Sequence, residues 1–332
     1  MSHRPNPTKP LLVVRDGAHR TDALTGGVVA IGNFDGVHRG HRAVIAAAVD
    51  RAMALGRPAV ALTFEPHPRR LLRPHEPMFR LSDAATKLRL LAATGLDGAV
   101  VLTFDAALAG LSAEDFIARI LVERLAAAGA TIGFDFHYGK DRSGSPAFLA
   151  AEGRRHGFPV EIVPPLEDEG RAVSSSSIRA ALSAGRVVEA AELLGNPWLV
   201  SAPVVHGDAR GRALGYPTAN LKLDPGCGLK FGIYAVRVGL AGLRYEGVAS
   251  FGRRPTFDDG PPLLEVYLFD FSGDLYGASI DVAFLAWIRS ELKFASVAEL
   301  VARMEEDCRL ARAALARSAS TFPVLGRVKE LG

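Results

Sequence analysis

The chain has 332 residues, 48% hydrophobic and 23% charged, with 34 Gly and 20 Pro; this excludes a disordered or collagenous protein and leaves room for two folded domains. Thirty-nine Lys and Arg against 36 Asp and Glu leave a net charge of +3, too little for a cationic stripe, so phosphate ligands fit and a nucleic-acid partner is not expected. Cys227 and Cys308 match neither a disulfide framework nor a zinc-ligand spacing, and neither a signal peptide nor an uncharged apolar run long enough to span a membrane is found, so a cytoplasmic location is expected.

The first half alternates short apolar runs with helical patterns. Strands are predicted at Val28–Ile31, Val60–Phe64, Ala99–Phe104, Thr131–Phe134 and Val160–Val163. Helices are predicted at Ala43–Leu55, Ser82–Ala93, Ser112–Ala128 and Ser145–His156. This alternation predicts a doubly wound, mostly parallel sheet, a fold that binds ligands where loops leave the carboxyl ends of its strands.

Directly after the first strand comes G-N-F-D-G-V-H-R-G-H, Gly32–His41, leading into a helix. His38 and His41 start that helix and can face one point, while Gly40 lets a ligand approach the backbone closely. Two imidazole donors beside a helix N-terminus suit a polyphosphate. The H-x-G-H tetrad resembles the nucleotidyltransferase superfamily. Class I aminoacyl-tRNA synthetases share the tetrad but also need a K-M-S-K-S-like loop, which this sequence lacks.

A longer match is carried by T-F-E-P-H-P (Thr63–Pro68), G-F-D-F-H-Y-G-K-D-R-S-G (Gly133–Gly144) and V-S-S-S-S-I-R (Val173–Arg179). Together they resemble the FMN adenylyltransferase module of prokaryotic bifunctional riboflavin kinase/FAD synthetases. The resemblance implies that Gly32, Phe34, His38 and His41 surround ATP, with Ser174, Ser175, Ser176 and Arg179 closing over its phosphates. It puts Asp135 near FMN; His67, held between two prolines, either contacts flavin or shapes its turn. Val173 and Ser176 depart conservatively from the family's usual I-S-S-T-x-I-R.

Past about Arg186 the pattern changes. Strands are predicted at Leu199–Val205, Ile233–Val238, Tyr245–Val248, Leu264–Phe269 and Ile280–Leu285, separated by Gly, Pro and Asp clusters, as in an antiparallel β-barrel domain. A terminal helix follows, with Ser296 and Glu299 as capping box and Val297, Leu300, Val301, Met304 and Cys308 as apolar stripe. The expected domains are 1–186 and 187–332, with fraying from about Ser318.

Inside the β-half, G-D-A-R-G-R-A-L-G-Y-P-T-A-N-L runs from Gly207 to Leu221. The evenly spaced Gly207, Gly211 and Gly215 point to a loop whose N–H groups wrap an anion. Thr218 and Asn220, two apart in an extended segment, face one side and can share a hard cation such as Mg²⁺. The string resembles the riboflavin kinase signature, as do G-I-Y-A-V (Gly232–Val236), G-V-A-S-F-G-R-R-P-T-F (Gly247–Phe257), L-E-V-Y-L-F-D-F-S-G-D-L-Y-G (Leu264–Gly277) and E-L-K-F (Glu291–Phe294), with Ser250 where the family more often has Asn. The resemblance implies that Glu265 is the base and that Glu291 and Phe294 lie at the flavin. The whole implies an enzyme that turns riboflavin into FMN and FMN into FAD, with ATP as co-substrate and Mg²⁺ as cofactor. The alternatives are a nucleotidyltransferase for another substrate fused to an unrelated barrel, which the Gly207–Leu221 string opposes, and a flavin-binding regulator without catalysis, which the intact site residues oppose.

Overall fold

The structure is a computed structural model that describes residues 9–16, 23–168, 171–207, 211, 214–253 and 262–331. In chain order its first elements are β1 (Leu11–Arg15), β2 (Val28–Ile31), α1 (Arg39–Leu55), β3 (Ala59–Glu65), α2 (Pro68–Leu72) and α3 (Ala84–Leu91). Next come β4 (Gly98–Thr103), α4 (Ala106–Ala109), α5 (Ala113–Phe116), β5 (Gly129–Gly133), α6 (Pro146–Arg155) and β6 (Val160–Val163). A short hairpin, β7 (Glu167–Asp168) and β8 (Arg171–Ala172), leads to α7 (Ser175–Ser183) and α8 (Val187–Leu194). The last elements are β9 (Trp198–Val205), β10 (Ala219–Lys222), β11 (Gly232–Leu240), β12 (Leu243–Gly252), β13 (Leu263–Leu268), β14 (Ser279–Arg289), α9 (Val297–Arg317) and β15 (Val328–Leu331).

Near-continuous apolar runs such as V-V-A-I in β2 are what a strand covered on both faces requires. Val28 and Ala30 pack with Val44 and Ile45 of α1 and Leu88 and Leu91 of α3, whereas Val29 and Ile31 turn to Phe116, Ile117 and Leu149 on the opposite face. The result is a seven-stranded parallel sheet in the order β15-β1-β4-β3-β2-β5-β6, wound on both sides. Strand order reverses at β2, so the loop leaving β2 opens at the switch point where such sheets take ligands. The helix predicted over Ser112–Ala128 begins as α5 and widens to a π-helical stretch, Ile117–Arg124, which keeps Ile117 and Leu121 buried.

In the second half a closed antiparallel barrel forms in the order β10-β13-β12-β11-β14-β9. Alternation along β13 buries Leu264, Val266 and Leu268 and leaves Glu265 and Tyr267 on the other face. Contacts divide the chain into two compact units, Met1–Met78 with Ala84–Ser174 and Val324–Gly332, and Phe79–Asp83 with Ser175–Pro323. Helices α7 and α8, which the expected boundary at Arg186 separates, therefore both count with the barrel. Local bonding agrees: the Lys230 amide donates to Leu182 of α7 at 3.2 Å, and the Trp198 indole donates to the Leu81 carbonyl at 2.8 Å, which holds the Phe79–Asp83 segment to the same unit.

Two expectations need correction. The tail after Ser318 does not fray throughout, because Val328–Leu331 pairs in parallel with β1 and gives that strand a second neighbour opposite β4. On α9 the capping box forms, Ser296 Oγ accepting the Glu299 amide at 3.2 Å, but Val297 is exposed and the buried positions are Asp307, Ala311 and Leu315. A carboxylate takes the inward position because Arg289 of β14 donates to it twice, at 2.8 and 2.5 Å. Breaking a buried pair from one side strands the other charge, so Asp307→Ala should destabilise the barrel unit by about 3–5 kcal/mol. Urea unfolding would measure this; a loss near zero would mean that water compensates Arg289.

Candidate active sites

In the sheet unit, β2 ends at Ile31 and the chain turns through Gly32–Val37 into α1. His38 is the helix N-cap: its Nδ1 accepts the His41 amide at 3.3 Å, which leaves the ring proton on Nε2 in the neutral form. One turn later His41 stacks on His38, with ring centroids 3.5 Å apart and planes 21° from parallel. The expectation that the spacing brings both imidazoles together is met in this geometry. Phe34, expected beside ATP, is only 1% exposed and sits at φ 51°; its ring meets His41 edge-on at 5.4 Å and packs over Gly32. Gly40 lies between the His38 ring and the Val173 carbonyl, where a β-carbon would stand 3.2 and 3.3 Å from them. The segment entering Ser174 therefore passes against the histidine turn.

Below this turn lies a network that the sequence did not announce. Lys87 of α3, 2% exposed, donates to the Phe64 carbonyl at 3.1 Å, the Thr63 hydroxyl at 3.2 Å and the Asn33 carbonyl at 3.4 Å. Its counter-charge is Glu65, at 2.8 Å. The only sequence signal was T-F-E-P-H-P itself, since a buried lysine in an amphipathic helix looks like any surface lysine.

The other expected residues of this half are spread out. His67 caps α2, its Nδ1 accepting the Arg69 amide at 3.2 Å, so it does shape its turn. Asp135 is exposed just past β5, where its carbonyl lies 3.0 Å from His137 Nδ1. Ser175, Ser176 and Arg179 belong to α7, and Arg179 Nε donates to the Phe79 carbonyl at 2.5 Å within the barrel unit.

In the barrel, strand register makes the second constellation. Asn220 of β10 stands opposite Glu265 of β13, and on its other flank Glu265 stands opposite Ser250 of β12. Directly opposed residues have β-carbons about 4.5–5.5 Å apart, so three oxygen-bearing side chains form one lateral row. Asn220 is 6% exposed; its Nδ2 donates to the Thr218 carbonyl at 3.3 Å, and a β-carbon on Gly207 would overlap its carboxamide. Gly207 is thus the residue that lets the loop lie against Asn220. Further along, the Gly211 carbonyl accepts the amides of Leu214 and Tyr216, and Gly215 is left-handed at φ 86°. Residues 208–210 and 212–213 of the glycine string, and 254–257 of the G-R-R-P-T-F run, lie outside the described residues.

Thr218 lines a cavity of about 340 Å³ with Pro217, Ser272, Asp274 and Tyr276. Tyr276 stacks on His206 at 3.8 Å, giving one side of the cavity an aromatic wall. After β14, the Glu291 carboxylate lies against Gly252; partial burial raises its pKa above the ordinary carboxylate value, with Arg289 opposing. Phe294 is half-buried two residues before the α9 cap.

The comparisons divide the chain along the same line. A family model described as FAD synthetase matches residues 20–177, and one described as riboflavin kinase matches residues 194–315. The bifunctional riboflavin kinase/FMN adenylyltransferase of Pseudomonas fluorescens is 41% identical over 89% of this chain and 94% of its own length. Its namesake in Escherichia coli K12 is 39% identical over 85% of this chain and 90% of its own length. A crystal structure described as a macrolide-efflux protein from Streptococcus pneumoniae is 35% identical and superposes with a TM-score of 0.80 over 90% of this chain and 98% of that one. Efflux is the description of that protein; among the described residues here, no helix is long and apolar enough to cross a membrane. With the histidine turn inside one matched stretch, the Asn220–Glu265 row inside the other, and relatives similar across nearly their whole length, the chain belongs to the bifunctional riboflavin kinase/FMN adenylyltransferase family.

Proposed function

We propose that the chain's two activities, phosphorylation of riboflavin to FMN and adenylylation of FMN to FAD, rest on separate residue sets, the first in the barrel and the second in the parallel sheet. The register that puts Glu265 between Asn220 and Ser250 carries this reading. Riboflavin's terminal hydroxyl attacks the γ-phosphorus of ATP only as its proton is accepted, and Glu265 is the base that takes it. The new oxygen–phosphorus bond forms as the bond to ADP breaks. Glu291 and Phe294 hold the flavin, and the loop from Gly207 through Gly211 to Gly215 holds the ATP phosphates. Thr218 and Asn220 offer neutral oxygens beside a carboxylate, a donor set that fits a hard cation, and they would hold Mg²⁺. That ion supplies neutralisation of charge on the transferring phosphoryl group.

In the second reaction a phosphate oxygen of FMN bonds to the α-phosphorus of ATP and pyrophosphate leaves. The nucleophile is already an anion, so the site needs no base and must instead offset repulsion between anions. His38 and His41 do so as donors at the start of α1, where the helix N-terminus adds to the positive potential. Gly32 and Phe34 shape the turn, and Asp135 and His67 lie toward FMN. The phosphate role of Ser174, Ser175, Ser176 and Arg179 rests on the V-S-S-S-S-I-R motif. Both reactions belong in the cytoplasm, in keeping with the two free thiols.

Metal titration of each half-reaction tests the division. Asn220→Ala should raise the Mg²⁺ needed for half-maximal FMN formation at least about tenfold, while FAD formation from supplied FMN keeps its own metal response. A parallel shift of both curves would remove Asn220 from the kinase site.

A further inference from the structure

The Lys87 ammonium is held by acceptors on two neighbouring strands at once. From β3 it takes the Thr63 hydroxyl, the Phe64 carbonyl and the Glu65 carboxylate; from the turn after β2 it takes the Asn33 carbonyl. The two strands pair in parallel, Ile31 beside Leu62, so these groups sit at adjacent carboxyl ends, the ligand-binding edge of such a sheet. Thr63 relays the connection: it accepts from Lys87 and donates its own proton to the Asn33 carbonyl at 3.1 Å. The Asn33 carbonyl thus receives two donors from beneath.

We infer that Lys87 is a positioning residue for FMN adenylylation, fixing through Asn33 and Phe34 the turn that presents His38 and His41. The inference rests on the assignment of that turn to the adenylylation site. In a trans peptide the next amide points opposite the carbonyl, so anchoring the Asn33 oxygen inward turns the Phe34 N–H away from the ammonium. Phe34 then takes its left-handed conformation, and its buried ring braces the edge of His41. The carboxamide oxygen of Asn33 is buried and accepts no hydrogen bond among the described residues, so the same anchored residue holds an acceptor in reserve beside the turn.

Packing alone does not call for a lysine here. A methionine fills nearly the same space without desolvating a charge, and buried ion pairs are commonly no more stabilising than apolar replacements. What methionine lacks is the ability to bind several acceptors in one place and so set the angle of a peptide plane.

The test compares both activities in the full chain. Lys87→Met should lower kcat for FAD formation from FMN by roughly 10–100-fold, the scale of about an ångström of misplacement, with KM for ATP and FMN changing by less than about threefold. Riboflavin phosphorylation by the same preparation should stay at the parental rate, reporting that the barrel unit is folded, while the near-parental KM for ATP and FMN reports that the sheet unit, which holds Lys87, is folded too. Lys87→Met with Glu65→Gln removes the stranded carboxylate. If positioning is the role, this double variant stays slow; recovery to the parental kcat would reduce Lys87 to a counter-charge and overturn the inference. Should Lys87→Met fail to fold, Thr63→Val cuts only the relay and should lower kcat by several-fold at unchanged KM, whereas a parental kcat would again overturn it. His41→Ala separates the two levels: if it is impaired while Lys87→Met and Thr63→Val are not, this inference alone fails, and if His41→Ala is unimpaired the site assignment fails with it.

Discussion

Glu265→Gln will lower kcat for FMN formation by about 10²–10⁴ while riboflavin continues to bind. Glutamine keeps the shape of the side chain and its place between Asn220 and Ser250 in the lateral row, so the barrel surface is preserved. It loses the capacity to accept the proton of riboflavin's terminal hydroxyl, and that capacity contributes only as the transition state is approached. Binding and turnover therefore separate. Quenching of flavin fluorescence follows the first and chromatography of FMN the second, and FAD formation from added FMN serves as the internal control. Near-parental turnover would make Glu265 an ordinary strand residue.

The second large effect falls on the other reaction. His41→Ala should cut FAD formation roughly a hundredfold or more, the scale of losing one preorganised donor, so that FMN accumulates from riboflavin. The structure makes this substitution clean. The bond that caps α1 runs from the His41 backbone amide to the His38 ring, and alanine retains that amide. What disappears is the imidazole stacked on His38 and braced by Phe34. A variant forming FAD at the parental rate would move the adenylylation site elsewhere.

Much of this architecture was legible in the sequence because its signals are local. Apolar runs separated by helical patterns required a doubly wound sheet, and H-x-G-H directly after a strand required two imidazoles at a helix start; both are present. The i, i+2 spacing singled out Thr218 and Asn220, but that Glu265 and Ser250 join Asn220 depends on which strands pair and in what register. Long-range features stayed hidden for the same reason. Leu11–Arg15 is a short run among charges and prolines, and it is a strand only because β4 and β15 flank it. Phe34 was expected beside a ligand yet is buried, since its backbone turn rolls the ring inward. Lys87 and Asp307 are charges at interior positions, and the partners on other elements, Glu65 and Arg289, were not legible from their own helices.

The pairing of β15 with β1 has a consequence for biosynthesis. The sheet's last strand is encoded after the entire barrel, so a ribosome that has made β1 through β6 must still translate residues 175–323 before that partner exists. At about 5–20 residues per second this interval lasts on the order of ten seconds. Throughout it, the outer edge of β1 is an open ladder of N–H and C=O groups, the kind of edge that recruits strands from other chains. The barrel, whose strands all lie within one continuous stretch, can close before the sheet that precedes it is finished. The edge of the unit that began to form first is thus sealed by a strand that emerges only after the barrel.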